Sequence, residues 1–252
     1  MESFGKLQNL SIKNNQSNVV TQADIDSERI IVKTIRKNYP SHNIIAEESG
    51  YIDNNSAFTW IIDPLDGTSN YAAGLPWFGT MVALLKDNIP IIAGIYLPYY
   101  DLMYFAEKGK EAQVNNTPIK VTDEKELKNV LVAYSLDFSE DSTKTASEAR
   151  IIQNLVGKIR NLRATNSVAE FCYVADGRLG GCINQTAKIW DIVAPTLLIE
   201  EAGGTVTTIS GNQHEFKTTR ENYLDNYTIV AATKTLHPKL MGIVKSSAVK
   251  PS

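Results

Sequence analysis

The sequence is poor in cysteine and histidine, the residues that form disulfides and most zinc sites. Its two cysteines, Cys172 and Cys182, form no Cys-x-x-Cys pair, and neither has a histidine nearby. We therefore expect buried free thiols, as in a reducing cytoplasm, rather than a disulfide or a zinc site. The three histidines, His42, His214 and His237, are too scattered to give a metal-ligand spacing.

Long apolar runs and an excess of basic residues are also absent. No apolar stretch approaches the roughly 20 residues of a membrane-spanning helix, and the first ten residues, MESFGKLQNL, lack the apolar core of a signal peptide. The formal net charge of −3 argues against a nucleic acid bound through a generally basic surface. We expect a cytoplasmic protein with no nucleic-acid partner and no membrane association.

What remains is an ordinary globular composition, with 43% apolar and 21% charged residues in a chain of 252. A chain of this length forms one large domain or two smaller ones. Between residues 136 and 145 the sequence becomes rich in Ser, Asp, Glu and Thr, and we place a boundary there. The predicted units are an α+β subdomain over residues 1–137 and an α/β subdomain over residues 138–252.

Apolar patterns and turn residues predict a mixed α/β fold. A helix begins near Asp24 and closes before Pro40, while residues 14–18 and 51–57 are predicted loops. Strands follow one another as hairpins in the first half, which favours an antiparallel sheet, and alternate with helices in the second half. The predicted strands are 43–46, 58–62, 80–86, 89–97, 102–107, 129–134, 159–162, 181–184, 205–209 and 228–232, and the further helices are 146–158, 167–176, 191–202 and 238–245.

The stretch from Trp60 to Asn70, WIIDPLDGTSN, places two carboxylates after an apolar strand. Pro64 is expected to end the strand, so that Asp63 and Asp66 lie on a sharp turn. Carboxylates that converge on one point repel each other unless a cation neutralises them. The following GTSN is a plausible helix start, whose free N–H groups bind anions. The pattern predicts a divalent metal beside a phosphate; the alternative is an Asx-rich surface turn.

Hydrolysis of a phosphate monoester would explain such a pattern. The ester is a dianion with a poor leaving group, and two divalent cations neutralise it, lower the pKa of a water and stabilise the departing oxygen. A hard cation prefers about six oxygen ligands, and Glu47 and Asp191 are the natural additions to the central pair. The N–H groups of Gly67 and Thr68 would hold the non-bridging oxygens. No covalent nucleophile is required.

Two other phosphatase mechanisms fit the sequence less well. An aspartyl-phosphate enzyme uses an Asp-x-Asp pair after a strand, whereas DIDSE (24–28) lies on a predicted helix. The stretch CYVADGR (172–178) has the Cys-x5-Arg spacing of cysteine phosphatases, but it lies in an apolar helical stretch rather than in a phosphate-binding loop. We therefore favour the metal-dependent mechanism.

Four stretches resemble a known family in the family's own order. WIIDPLDGTSN is similar to the metal-binding signature of the inositol monophosphatase family, magnesium-dependent and lithium-sensitive phosphatases of sugars and polyols. VVTQAD (19–24), AEES (46–49) and WDIVAPTLLIEEAGG (190–204) match further motifs. The resemblance runs from about Lys13 to Ala232 and implies an α/β/α/β/α sandwich and, commonly, a homodimer. The family has a long helix before this region, of which little is present, so we expect either a short chain or a start downstream of the true one.

The resemblance implies a role for each acidic residue. Glu47, Asp63 and the backbone carbonyl of Leu65 would hold the first magnesium, and Asp63, Asp66 and Asp191 would hold the second. Asp63 would thus bridge the pair. The first subdomain would supply most of the metal and phosphate contacts, and the second would complete the active site.

A threonine and an aspartate match the family pair that handles the attacking water. The hydroxyl of Thr68 would orient the water and Asp24 would accept from the hydroxyl, which makes Asp24, Thr68 and Glu47 the implied catalytic residues. The alternative for Asp24 is a simple helix N-cap. Lys13 and Glu47 match positions near a third, weaker magnesium, and the alternative for Lys13 is a solvated loop residue. The implied substrate-binding residues are Asp66, Gly67, Thr68, Asn184 and Asp191.

The substrate pocket departs from the family pattern. Asn184 stands where inositol-specific members have a glutamate that contacts a ring hydroxyl, and Asn166 stands where the family has glycine. Val193 and Pro195 replace small residues after Asp191, and Pro195 is expected near the first helical turn, where a missing N–H is tolerated. These departures leave the metal chemistry intact and weaken the case for inositol.

The leading prediction is a Mg2+-dependent phosphatase of a small sugar or polyol phosphate monoester, with inositol 1-phosphate as the first candidate. Histidinol phosphate and fructose 1,6-bisphosphate are the alternative substrates. A different class is a non-catalytic role in transcription complexes, as in some members of the family. The intact set of acids argues against a purely non-catalytic role.

Overall fold

The computed structural model describes residues 1, 4–6, 11–12 and 19–247. Lys13 and the predicted loop at 14–18 lie outside these residues. The strands are β1 (Ser11–Ile12), β2 (Val19–Val20), β3 (Asn43–Ala46), β4 (Gly50–Ile52), β5 (Phe58–Asp66), β6 (Gly79–Lys86), β7 (Ile89–Leu97), β8 (Leu102–Glu107), β9 (Gln113–Val114), β10 (Thr117–Pro118), β11 (Leu131–Ser135), β12 (Asn161–Arg163), β13 (Gly181–Ala187), β14 (Gly204–Thr207) and β15 (Tyr227–Thr233). The helices are α1 (Gln22–Asn38), α2 (Thr68–Ala73), α3 (Ser142–Val156), α4 (Ala169–Ala175), α5 (Ile189–Glu201) and α6 (His237–Ser247).

The first large sheet has eight strands in the order β10-β9-β8-β7-β6-β5-β3-β4. Its hairpin from β6 to β7 turns at Asp87 and Asn88, whose φ angles of 50° and 65° match a tight two-residue turn. The predicted antiparallel sheet is therefore confirmed along β5 to β10. The exception is β3, which pairs parallel to β5, and β4 is a short strand within a region that pattern alone assigned partly to a loop.

The second sheet has five strands in the order β12-β11-β13-β15-β14. Strand β11 runs parallel to both of its neighbours, whereas β15 runs antiparallel to β13 and β14. Parallel strands end at the same edge of a sheet, so the residues that follow β11 and those near the end of β13 lie together. This edge faces the cavity described below.

The two sheets and the helices form alternating layers. Helices α4 and α5 lie between the sheets, in a core to which strands of both sheets contribute. Helix α1 packs on the outer face of the first sheet, and α3 and α6 pack together on the outer face of the second. The predicted α/β/α/β/α sandwich is confirmed. The division at residue 137 stays a prediction.

The sequence of strand β5 is apolar at successive positions instead of alternating between apolar and polar residues. Ile61 belongs to the core between the sheets, and Ile62 belongs to the cluster beneath α1, so both faces of the strand are buried. The strand does not end at Asp63 as expected. Its pairing with β6 continues to Asp66 across a register shift, so Pro64 lies in a β-bulge rather than in a turn. Bulges accommodate a residue that cannot donate to the ladder.

No helix in the described part of the chain combines the length and the apolar character needed to cross a membrane. Cys172 and Cys182 are free and buried, as predicted from their isolation in the sequence.

Candidate active site

A cavity of about 540 Å3 brings together residues from both halves of the chain. Of the predicted site residues that the structure describes, Asp24 alone is not in its wall, and Asp24 contacts Thr68, which is. The predicted residues that line the cavity are Glu47, Asp63, Leu65, Asp66, Gly67, Thr68, Asn184 and Asp191. A larger cavity of about 770 Å3 runs along α1 and contains none of them.

The bulge in β5 positions the two central carboxylates. Asp63 is 2% exposed, and its Oδ1 accepts a hydrogen bond of 3.0 Å from the N–H of Leu65 across the bulge. Asp66 accepts from the N–H of Val168, at the start of α4. Each carboxylate therefore uses one oxygen for a backbone contact, which orients the group in the cavity wall.

The other two acids come from neighbouring elements. Glu47 directly follows β3, where its own N–H donates to the carbonyl of Ile62 at 3.1 Å. Asp191 lies in the first turn of α5, and its Oδ2 accepts from the N–H of Lys188 at 2.6 Å. Such a contact caps the helix start and also fixes the direction of the side chain. Strand ends and a helix start thus place four carboxylates around one cavity.

Burial and mutual repulsion raise the pKa of the central carboxyl groups. For Asp63 burial is the main cause, and the charges of Glu47, Asp66 and Asp191 add to it. Burial, with a smaller contribution from Glu47, raises the pKa of Asp66 to about 7. The pKa of Asp191 is also raised by burial. Grouped carboxylates of this kind hold their negative charge only when a cation is present.

The donor set fits magnesium, which prefers carboxylate and carbonyl oxygens. In the described residues, however, no three Asp, Glu, His or Cys side chains are arranged to hold a single metal ion. The acids surround the cavity rather than enclosing one centre. Magnesium keeps several waters and binds substrate phosphate through few protein ligands, so that arrangement is compatible with it. The assignment of three carboxylates to the second ion stays a prediction.

Thr68 and Asp24 lie side by side, as the family pair requires. The Thr68 hydroxyl lies 2.8 Å from Oδ1 of Asp24 and 2.9 Å from the carbonyl oxygen of Leu65. Asp24 is fully buried, and its Oδ2 accepts from the N–H of Thr21 at 2.8 Å. The N-cap of α1 is Thr21, so Asp24 is not the N-cap; it is the acidic partner in the capping box.

The start of α2 is shaped by a glycine. Gly67 has a φ of 77°, and a Cβ built there would lie 2.6 Å from the carbonyl oxygen of Trp77. Only glycine fits this conformation and this space. No side chain caps α2, while Gly67, Thr68 and Ser69 all line the cavity. Backbone N–H groups are therefore available at the cavity wall.

Of the residues that depart from the family pattern, Asn166 and Asn184 line the cavity, whereas Val193 and Pro195 do not. Asn184 lines the cavity, but its Oδ1 accepts from the N–H of Thr186 at 2.7 Å within a bulge of β13. The expectation for Pro195 was wrong, because α5 begins at Ile189 and Pro195 lies inside it. A proline there cannot donate to the carbonyl of Asp191, the residue four positions earlier.

Sequence reasoning missed two acidic residues. Asp137 lines the cavity two residues after the end of β11, in the polar stretch that we interpreted only as a boundary. Glu28 is 4% exposed, and its oxygens accept from the N–H groups of Glu48 and Ser49 at 2.8 and 2.7 Å. The places of both residues in the sequence could have indicated them, because Asp137 follows a strand and Glu28 is one helical turn after Asp24.

The two alternative phosphatase motifs are excluded by their surroundings. Cys172 is buried inside α4, and burial raises the pKa of its thiol. Arg178 donates instead to Asp176 and Tyr104. Asp26 is on the exposed side of α1, where it pairs with Arg29. Neither motif forms a phosphate-binding loop after a strand.

Residues 1–248 match the model of the inositol monophosphatase family. The chain belongs to this family. The match confirms the resemblance to this family that the four motifs carry.

Individual relatives carry different names. A protein of Aquifex aeolicus (strain VF5), named fructose-1,6-bisphosphatase/inositol-1-monophosphatase, is 34% identical over 247 residues, which cover 97% of this chain and 89% of that protein. A Nus factor SuhB of Pasteurella multocida (strain Pm70) is 32% identical over 228 residues, covering 90% of this chain and 82% of that protein. The crystal structure of the extragenic suppressor protein suhB from Bartonella henselae matches with a TM-score of 0.88 and 28% identity, covering 98% of this chain and 93% of that one.

Proposed function

We propose that this protein is a magnesium-dependent phosphatase of a small sugar or polyol phosphate monoester, with inositol 1-phosphate as the first candidate. The observation that carries the proposal is the arrangement of four carboxylates, Glu47, Asp63, Asp66 and Asp191, around one cavity. The start of α2 lies in the same wall. Negative groups for cations and N–H groups for an anion thus face one space.

The residues that would hold magnesium are Glu47, Asp63, Leu65 through its carbonyl, Asp66 and Asp191. When bound, magnesium supplies positive charge that neutralises the phosphate and stabilises the leaving oxygen. Gly67 and Thr68 would donate their N–H groups to the non-bridging phosphate oxygens. The left-handed backbone at Gly67 orients this segment before substrate arrives, so little rearrangement is needed.

Thr68 would orient the attacking water. Its single hydroxyl proton is donated to Asp24 or to the carbonyl of Leu65, both of which are acceptors within 2.9 Å. The lone pairs of the hydroxyl oxygen are therefore the part that can accept a hydrogen bond from the water. Asp24 is held rigidly by its own contacts to Thr21, so the hydroxyl keeps this direction.

A phosphate-release screen tests the proposal. Purified protein is assayed with inositol 1-phosphate, fructose 1,6-bisphosphate, histidinol phosphate and a nucleotide 3′-phosphate, each with magnesium and with a chelator. We expect magnesium-dependent release from at least one of these esters and highest specificity for a polyol monophosphate. Absence of magnesium-dependent release from all of them would contradict the proposal.

A second candidate is a transcription-associated binding role, which the names of the SuhB relatives favour. It does not require the carboxylates to bind magnesium. Co-purification with transcription proteins that persists in an inactive variant would support it. The predicted cytoplasmic location, homodimer and absence of a nucleic-acid partner stay predictions.

A further inference from the structure

The residues that line the cavity include a carboxylate with no role in the proposed metal and phosphate site, Asp137. The inference that follows rests on the proposed phosphatase function. It concerns how the cavity recognises the part of the substrate beyond its phosphate group.

Asp137 is placed by the second sheet and oriented by a neighbouring loop. Ser135 in β11 pairs with Asn184 in β13, so Asp137 emerges at the edge of the sheet where Asn184 lies. Its side chain is half-buried, and Oδ1 accepts a hydrogen bond of 2.8 Å from Nδ2 of Asn166. Asn166 has a φ of 50°, and its N–H donates to the buried Glu170 at 3.2 Å. Asn166 therefore orients the carboxylate of Asp137 through one of its two oxygens.

Asn184 is a weaker acceptor than the glutamate that inositol-specific relatives have at this position. Its carbonyl oxygen already accepts from the backbone of Thr186, which leaves one lone pair of that oxygen and the NH2 group for a ligand, against the four lone-pair sites of a carboxylate. An NH2 group donates and cannot accept from a substrate hydroxyl. Asp137, whose second oxygen has no hydrogen-bond partner among the described residues, is an acceptor on the same wall.

Both ammonium and carboxylate groups lie near this part of the cavity. Lys188 is the only cationic side chain of the described residues that lines the cavity, and its ammonium group donates to the carbonyl of Leu224 at 2.6 Å. The ammonium group of Lys144, which is not in the lining, donates to the hydroxyl of Thr186, which is. Asp137 would repel a phosphate group bound on its side. Hydroxyl groups are not repelled in this way, because they can donate hydrogen bonds to a carboxylate.

We propose that Asp137 is the specificity-determining residue of this pocket. Its carboxylate, oriented by Asn166, accepts hydrogen bonds from hydroxyl groups of the substrate. The substrate class is accordingly a polyol monophosphate rather than a sugar bisphosphate.

The test compares D137N with the wild-type protein on three esters in saturating magnesium: inositol 1-phosphate, fructose 1,6-bisphosphate and phenyl phosphate, which has no hydroxyl group. In D137N we expect KM for inositol 1-phosphate to rise about 10- to 100-fold with little change in kcat, because a site built to bind a hydroxyl loses its acceptor. The rate on phenyl phosphate should stay within about twofold, and the preference for the bisphosphate should increase. In N166A, which frees Asp137, the same shift should be smaller.

The matched control is E140Q, an exposed carboxylate of the same segment that does not line the cavity. It should behave like the wild type on all three esters. If D137N leaves the ratio of kcat/KM between inositol 1-phosphate and phenyl phosphate within about twofold, Asp137 does not recognise hydroxyls. An equal fall on all esters through kcat would also overturn the inference, because it indicates a structural role. If the wild type does not cleave inositol 1-phosphate but releases phosphate from another ester of the screen described above, the inference fails and the phosphatase proposal stands. If it cleaves no ester of that screen, the phosphatase proposal itself fails.

Discussion

The hydroxyl oxygen of Thr68 lies 2.8 Å from Oδ1 of Asp24, a residue 44 positions earlier in the chain. The second oxygen of the same carboxylate accepts from the backbone and the hydroxyl of Thr21, at 2.8 and 2.6 Å. One buried carboxylate therefore stabilises the start of α1 and directs the hydroxyl at the cavity wall. Folding and the proposed catalysis depend on the same side chain.

Replacing Asp24 with asparagine should lower both activity and stability. An amide accepts hydrogen bonds only at its oxygen. The asparagine therefore cannot accept from Thr21 at one end and from Thr68 at the other, and one of the two contacts is lost. We expect kcat to fall about 100-fold, a typical cost of losing a positioned acid–base group, and the free energy of unfolding to fall by about 1 kcal/mol. Phosphate-release assays and urea denaturation measure the two effects.

The control for D24N is D26N, two residues along the same helix. Asp26 is half-exposed, and among the described residues it pairs with Arg29, so its replacement should change both quantities little. Equal activity in D24N and D26N would count against the assigned role of the Asp24–Thr68 pair.

Glu28 should be a positioning residue for the magnesium site. Its two oxygens accept from the N–H groups of Glu48 and Ser49, which directly follow Glu47. In E28Q one of these N–H groups would face the NH2 of the amide, and the turn that carries Glu47 would shift. We expect an about tenfold higher magnesium concentration for half-maximal activity, with kcat at saturation largely retained.

The magnesium titration of E28Q is compared with that of D26N on the same helix. A purely structural role would lower the midpoint of thermal unfolding without moving the magnesium dependence. An unchanged magnesium dependence in E28Q would therefore refute the positioning role.

His214 should make stability fall at acidic pH. Burial lowers the pKa of this imidazole below its usual value. Nδ1 is buried with no hydrogen-bond partner among residues 19–247 or the other described residues, and Nε2 contacts the carbonyl of Thr228 at 2.8 Å. Because the folded pKa lies below the unfolded one, the unfolded state binds a proton first. Stability is therefore fully present above the unfolded pKa, near 6.5, and is lost as pH falls below it.

Urea denaturation at pH 7 and pH 5 measures this effect. The contribution of one group is at most about 1.4 kcal/mol per pH unit. H214Q keeps a donor for Thr228 and removes the titration, so its loss of stability between the two pH values should be smaller than in the wild type. His237, whose pKa burial also lowers, should account for part of the remainder. Equal losses in the two proteins would contradict the assignment.

Lithium should inhibit the enzyme. Members of the family that the sequence resembles are lithium-sensitive, and lithium is a small cation that takes oxygen ligands such as those around Asp63 and Asp66. Initial rates are measured over a series of lithium chloride concentrations, with potassium chloride at equal ionic strength as the control. Equal rates in the two salts would show that this site differs from those of its relatives.

Much of the fold was predictable from local sequence patterns of apolar residues and turn residues. The apolar run 58–62 predicted a buried strand because both faces of β5 are covered, and the Asp87-Asn88 pair predicted a hairpin because these residues tolerate positive φ. The strand β4 was missed because only three residues pair there. The continuation of β5 through Pro64 was also missed, since the bulge depends on pairing with β6 rather than on local sequence.

The sequence predicted the site residues that stand in a family motif. It did not predict the residues that only the fold brings to the cavity. Glu47, Asp63, Asp66 and Asp191 stand in recognisable motifs, and the structure brings all four to one cavity. Asp137 stands in no such motif, and its place in the cavity depends on the parallel pairing of β11 with β13. Long-range pairing of this kind leaves little trace in a single sequence.

The central claim is that the carboxylates around this cavity bind magnesium for phosphate hydrolysis, and Asp63 is the residue on which it depends most. The most direct measurement is phosphate release from inositol 1-phosphate as a function of magnesium concentration, for the wild type and for D63N. We expect magnesium-dependent activity in the wild type and less than about 1% of it in D63N at saturating magnesium, with a similar unfolding midpoint in chelator. Near wild-type turnover of D63N at saturating magnesium would contradict it.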